Sequence, residues 1–312
     1  MFDYQSSTAL VTGATSGIGE AIARALVARG VPTIVLVARN ADALATIAAD
    51  LRQQGPRVET IALDLTAPDA AAQVRAATDK LDLQIDLLVN DAGTVSIGSF
   101  DQPQLLPESS SSASDIVALN VAAVVGLTEQ YLPAMVARRR GGVLNLGSTA
   151  GFQPVPYSAV YAASKAFIHS FSQALWVELQ DRGYTQVRMV CICPGVTDTN
   201  LGFGHGEDRG PLNKVSVSTP AEIGQAALKA LDDNAYYRVI GAANIVQTRL
   251  IKLLPSALVA GVLARIRHQV VLKATGEPAL AAAPVPASLW RSAAPLAGVL
   301  LVGAGLWRAL RR

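Results

Sequence analysis

Seven short apolar runs alternate along the chain with stretches of helical patterning, and this alternation limits the fold more than any other feature. The runs fall near residues 8–12, 33–37, 58–63, 86–89, 142–146, 187–193 and 236–240. The helical patterns fall near 18–29, 41–54, 67–80, 115–138, 157–182 and 220–232. A strand that reaches the next strand through a helix pairs with it in parallel. The pattern therefore predicts an α/β, doubly wound parallel sheet of about seven strands. Val187–Cys193 is apolar almost throughout, as suits a parallel strand covered on both faces. A chain of 312 residues accommodates one such domain plus an extension.

The first run, Thr8–Thr12, leads into Gly13-Ala14-Thr15-Ser16-Gly17-Ile18-Gly19 and then a helical pattern. Strand, glycine turn and helix make the context of a dinucleotide site. Glycine lets backbone approach a pyrophosphate, and the helix N-terminus offers N–H groups and a positive dipole. The spacing is Gly-x-x-x-Gly-x-Gly. The second strand ends in Ala38-Arg39-Asn40, where an NAD site carries Asp or Glu for the ribose hydroxyls. Arg39 instead suits the extra phosphate of NADP, so NADP(H) is expected over NAD(H). Thr15 is not basic, which leaves Arg39 as the one cation arguing for that phosphate.

Farther on stands Tyr161-Ala-Ala-Ser-Lys165, with Ser148 thirteen positions upstream of the tyrosine. If Tyr161 opens a helix, Lys165 lies one turn on along the same face. An ammonium beside a phenol favours the phenolate, which suits proton transfer. Ser148 follows the apolar stretch Gly142–Leu146, where the carboxyl end of a parallel strand meets a ligand crevice.

Taken in order, Thr12–Gly19, Asp64-Leu65, Asn90-Asp91-Ala92-Gly93, Asn120, Ser148, Tyr161-x-x-x-Lys165 and Pro194-Gly195 resemble the short-chain dehydrogenase/reductase family. The likeness runs from about Ser7 to Ile240. It implies a Rossmann-type fold and an NAD(P)-dependent oxidoreductase. Tyr161 is then the general acid for carbonyl reduction, or the base for alcohol oxidation. Lys165 tunes the tyrosine and holds the nicotinamide ribose. Ser148 hydrogen-bonds the carbonyl oxygen, and Asn120 holds a water that passes protons to the lysine. Gly13, Thr15, Ser16, Gly17, Ile18 and Gly19 cradle the cofactor phosphates, with Arg39 beyond them. Asp64 and Leu65 adjoin the adenine, while Asn90, Ala92 and Gly93 brace the adenosine side. Pro194, Gly195, Val196 and Thr199 hold the nicotinamide amide. The family usually carries Asn or Ala where Asp91 stands, and the added charge is expected to be tolerated.

On this basis residues 1–245 form the dinucleotide-binding and catalytic domain. Residues 246–276 form an apolar, basic helical extension broken by Pro255, 277–288 an Ala/Pro linker, and 289–312 a C-terminal hydrophobic helix. From Arg249 onward nine Lys or Arg stand against one acid, Glu277, whereas the preceding residues hold 17 basic and 23 acidic groups. A basic, apolar tail on an acidic body points to an anionic membrane surface. The aliphatic character of the tail argues against nucleic acid as a partner. Trp290 and Trp307 bracket the uncharged, apolar stretch Ser292–Trp307, slightly short for a full span. The alternative is a buried helix that covers the body or an oligomer interface. Homodimers or homotetramers would form through the helices at 115–138 and 157–182.

Ser109–Ser114 reads as a surface loop, with Ser114 or Asp115 capping the next helix. The glycine-rich stretch Leu201–Val217 reads as a mobile lid over a substrate, its His205, Glu207 and Asp208 being too dispersed for a metal site. Cys191 and Cys193 face one side of a strand and read as buried, unbridged filler. The N-terminus lacks a basic segment and an apolar core, so no cleavable export signal is expected and the cytoplasm is the expected compartment. The leading activity is NADPH-dependent reduction of an apolar ketone or aldehyde. The alternatives are alcohol oxidation by the same site and, from another class, an NADP-binding protein without turnover.

Overall fold

A computed structural model describes residues 1–101, 111–198 and 217–275. Seven strands form one parallel sheet in the order β3-β2-β1-β4-β5-β6-β7. They are β1 (Thr8–Thr12), β2 (Thr33–Ala38), β3 (Arg57–Ala62), β4 (Leu87–Asn90), β5 (Gly141–Leu146), β6 (Val187–Cys193) and β7 (Arg238–Val239). The chain winds outward from β1 to β3, then returns to the other side of β1 for β4. That reversal opens a crevice at the carboxyl ends of β1 and β4.

Strand side chains alternate between two apolar layers. Ala9 and Val11 join α1 (Gly17–Ala28), α2 (Ala41–Arg52) and α7 (Pro220–Asp232) on one face. Leu10 joins α3 (Ala70–Lys80), α5 (Ala123–Arg138) and α6 (Ala159–Asp181) on the other. Val187 to Cys193 carries buried residues at every position but Arg188, as its apolar sequence foretells. Arg188 reaches back to the carbonyls of Leu231 and Asp232, which closes the amino-terminal edge of the sheet.

Several boundaries differ from the sequence expectation. The segment expected as one helix at 115–138 begins as α4 (Ala113–Val117), passes through a π-helical turn at Ala118–Ala122, and continues as α5. Its cap is Ser112, not Ser114 or Asp115. Ser112 Oγ accepts the Asp115 N–H at 3.0 Å and Asp115 returns a bond to the Ser112 N–H, so the acid that was a cap candidate closes a capping box from the third helical position. The last strand shrinks to two residues at the sheet edge. Helix α8 (Ala242–Ile251) runs across residue 245, and α9 (Ser256–Thr275) follows the break at Pro255. Leu258 and Val259 are buried, so the beginning of α9 packs on the domain. The segments expected as a linker at 277–288 and a hydrophobic helix at 289–312 lie outside the described residues, as does the expected lid Leu201–Val217 apart from Val217.

Candidate active site and dinucleotide crevice

The turn after β1 is built for close approach. Gly13 and Gly17 take φ of 68° and 59°, a region that L side chains disfavour. Gly13 N–H is held by the Val37 carbonyl at 2.9 Å, which ties the turn to β2. A Cβ on Gly19 would strike the Gly13 carbonyl and the Asp91 carboxylate. Ser16 precedes α1 in extended conformation without a side-chain cap bond, so its hydroxyl does not compete with an anionic ligand for the helix start, although Asp91 accepts the Gly19 N–H. The crevice, the glycine contacts and this uncapped helix start all fit a dinucleotide.

Arg39 stands exposed at the end of β2, and Asn40 beside it caps α2 through the Ala43 N–H at 3.0 Å. Across the crevice rim, Asp64 Oδ1 accepts the Thr66 N–H and hydroxyl at 2.9 and 2.8 Å. These two bonds, with the charge of Arg39 behind them, hold the carboxyl below the usual range. Leu65 is buried next to it.

The loop after β4 reaches Asn120 and Lys165. Thr12 Oγ1 accepts the N–H groups of Asp91 and Ala92, both at 3.1 Å. Asn90 Nδ2 donates to Asn145 Oδ1 at 2.8 Å, and Asn145 Nδ2 donates to Ser172 Oγ at 2.9 Å. This buried chain fixes β4 against β5 and α6. Gly93 faces two of the expected catalytic residues: a Cβ there would stand 3.2 Å from Asn120 Oδ1 and 3.7 Å from Lys165 Nζ.

Asn120 comes from the π-helical turn and is fully buried. Its Oδ1 accepts the Thr94 N–H at 2.9 Å, and its Nδ2 donates to the Thr94 carbonyl at 2.9 Å and to Ser164 Oγ at 3.1 Å. Ser164 donates in turn to the Tyr161 carbonyl at 2.7 Å, so the asparagine is tied to the helix that bears the tyrosine. Helix α6 starts two residues before Tyr161, and Lys165 follows one turn later. Lys165 Nζ lies 5.8 Å from the centre of the Tyr161 ring and donates to the Leu146 carbonyl at 2.7 Å. Ser148 begins the 3₁₀ turn Thr149–Phe152 and accepts the Ala150 N–H at 3.1 Å through Oγ. Four residues from three segments thus gather at the carboxyl end of β5. The Tyr161 ring packs with Val95, Ile97 and Tyr157, which gives the approach an apolar wall.

Pro194, Gly195 and Val196 follow β6, and Thr197 pairs with Ser218 in a single parallel bridge. Thr199 lies outside the described residues. A Cβ on Gly195 would collide with the Asn244 amide. Asn244 is buried and donates from Nδ2 to the Ile240 carbonyl at 2.7 Å. This brace from α8 was absent from the sequence reading, since a lone Asn at a helix start carries no pattern. The placement of Asp91 inside the glycine turn was also missed. Cys191 and Cys193 are buried free thiols whose sulfurs are 3.7 Å apart, and both pack on Gly147 beside Ser148.

An uncharacterized oxidoreductase of Staphylococcus saprophyticus is 32% identical over 240 residues, 77% of this chain and 97% of that protein. The very-long-chain 3-oxoacyl-CoA reductase of Bos taurus is 34% identical over 179 residues, 56% of this chain; the chain spans about half of that reductase, at 55%. Among solved structures, a short-chain dehydrogenase of Sphingobium yanoikuyae in complex with NADPH is 31% identical. It superposes with a TM-score of 0.66 over 79% of this chain and 94% of that one. The family model for short chain dehydrogenases matches residues 7–209. With its seven-stranded sheet, dinucleotide crevice and gathered Ser–Tyr–Lys group, the chain belongs to the short-chain dehydrogenase family of NAD(P)-dependent oxidoreductases acting on C=O and CH–OH groups.

Proposed function

We propose that this protein reduces an apolar ketone or aldehyde to an alcohol with NADPH. The gathering of Ser148, Tyr161, Lys165 and Asn120 at one strand end carries this reading. When bound, the nicotinamide supplies the hydride. The Tyr161 hydroxyl gives its proton to the carbonyl oxygen, and the Ser148 hydroxyl donates a hydrogen bond to the same oxygen as charge builds there. Lys165, buried and anchored on the Leu146 carbonyl, holds its side-chain nitrogen beside the phenol ring. Asn120 fixes the loop at Thr94 against α6, and by resemblance it holds the water that returns a proton toward Lys165. Run in reverse, the same group oxidises an alcohol.

Arg39 at the end of β2, with no acidic residue at Ala38, Arg39 or Asn40, supports NADPH over NADH. The apolar wall of Val95 and Ile97 supports an apolar substrate. The likeness to a very-long-chain 3-oxoacyl-CoA reductase points the same way, for part of the chain. NADPH oxidation should be measured over carbonyl compounds of graded chain length. Rates that rise with chain length support the reading; a preference for short polar carbonyls removes the apolar substrate.

The C-terminal part supports attachment to an anionic membrane. Val246, Leu250 and Leu253 are exposed at successive turns of α8 and its end, flanked by Arg249 and Lys252. Among the described residues one helical stretch, Ala113–Arg138, is long and apolar enough to cross a membrane, but it packs on the sheet as a layer helix. The attachment therefore rests on α8 and the segments beyond it. Deleting residues 284–312 should reduce binding to anionic vesicles, and full-length protein that ignores such vesicles would remove the reading. Val117, Phe167 and Val177 remain exposed on α4 and α6, which supports self-association through those helices. Light scattering of the full chain tests it.

A further inference from the structure

The glycine turn of this chain encloses a carboxylate. Asp91 Oδ2 lies 2.9 Å from the Cβ position of Gly13 and 2.5 Å from that of Gly19. It accepts the Gly19 N–H, while the Asp91 backbone N–H is held by Thr12. The side chain is therefore fixed against the inner side of the turn whose outer side meets the cofactor pyrophosphate. Among the described residues, the charged group that faces it is Lys165 on α6. Glu20, next on α1, is engaged with Arg24 at 2.9 Å. Neighbouring like charges disfavour each other in a poorly solvated site.

We propose that Asp91 takes up a proton when the dinucleotide binds, so that cofactor affinity in this chain falls as the pH rises through neutrality. The inference rests on the NAD(P) site described above. Burial already pushes the Asp91 carboxyl up to about 7, against the opposing pull of Lys165 and the Gly19 N–H. Near neutral pH the free protein then holds the group partly ionised, and the incoming phosphates favour its neutral form. Proton and cofactor bind together, with no bond made beyond O–H on the carboxylate.

The test is calorimetric. Full-length protein and its Asp91→Asn variant are titrated with NADH and NADPH at pH 7.5, each in two buffers of different ionisation enthalpy. The 2′-phosphate of NADPH titrates on its own account, so NADH and the difference between the proteins carry the result. Wild type should take up about half to one proton more than the variant. Its Kd for NADH should weaken about tenfold between pH 6 and pH 8, and the variant's should stay nearly flat. Equal proton uptake by both proteins overturns the proposal. Should Asp91→Asn fail to fold, an unchanged wild-type Kd for NADH between pH 6 and 8 overturns it alone. Loss of all nucleotide binding in wild type would instead overturn the dinucleotide reading.

Discussion

Lys165 Nζ donates to the Leu146 carbonyl at 2.7 Å, so the strand that ends beside Ser148 also anchors the ammonium beside Tyr161. The bond satisfies one donor of a side chain that is only 6% exposed. Replacing Lys165 with Met keeps the length but leaves the carbonyl of Leu146 without this partner. Turnover should be lost, and stability should drop by about 1–3 kcal/mol. Urea unfolding together with NADPH oxidation checks both; a fully active variant would remove Lys165 from the mechanism.

Tyr161→Phe removes the acidic hydroxyl and keeps the ring against Val95 and Ile97. Turnover should fall by at least about 10²-fold, the range attributed to one positioned acid. NADPH binding, followed by fluorescence, should change little. Equal loss of binding and turnover would mean that the residue acts by holding the cofactor.

Arg39→Asp should reverse cofactor preference. A charge-assisted bond to phosphate contributes about 1.5–3 kcal/mol, so kcat/KM for NADPH relative to NADH should fall by roughly 10- to 100-fold. An unchanged ratio would leave Arg39 a solvated bystander at the strand end.

Gly195→Ala drives a methyl group into the Asn244 amide. Overpacking of this kind costs about 1–3 kcal/mol, and here it also displaces the segment after β6 that is proposed to hold the nicotinamide. Adding Asn244→Ala should return part of the loss, which a double-mutant cycle measures. Additive losses would show that the two residues do not meet.

Asp91 also shapes the stability of the cofactor-free protein. Its folded pKa, about 7, is above the unfolded value, so the folded state binds more protons between about pH 4 and pH 7. Stability is then greatest below that window and declines as pH rises through it, by about 2–4 kcal/mol. Asp91→Asn should flatten this decline in urea titrations at pH 5 and pH 8. Parallel pH profiles would assign the decline to other groups.

Much of this architecture is legible in the chain because local signals agree. Apolar runs mark the strands, Gly13–Gly19 marks the first turn, and Tyr161 with Lys165 marks one helix face. Long-range packing carries the remainder. Nothing near Asn244 in sequence says that it will brace Gly195, and nothing near Asp91 says that its carboxyl will lie against Gly19. Ser112 outcompeted Ser114 as a cap because its reciprocal bond with Asp115 needs a three-residue separation, which a run of serines leaves ambiguous. The π-helical turn is equally silent, since its apolar pattern reads as ordinary helix.

That turn makes the length of the protein's fourth helical segment as consequential as its composition. A π turn accommodates one residue more than an α turn. Removing one residue between Ala118 and Ala122 would let the backbone relax to regular α-helix with the flanking turns still in register, because a π turn absorbs its extra residue locally. Asn120, presented on the wide turn, would leave Thr94 and Ser164 while α5 kept its place on the sheet. Substitutions along this stretch can be absorbed one by one, whereas a single-codon deletion would spare the core and undo the hold of Asn120 on the loop at Thr94.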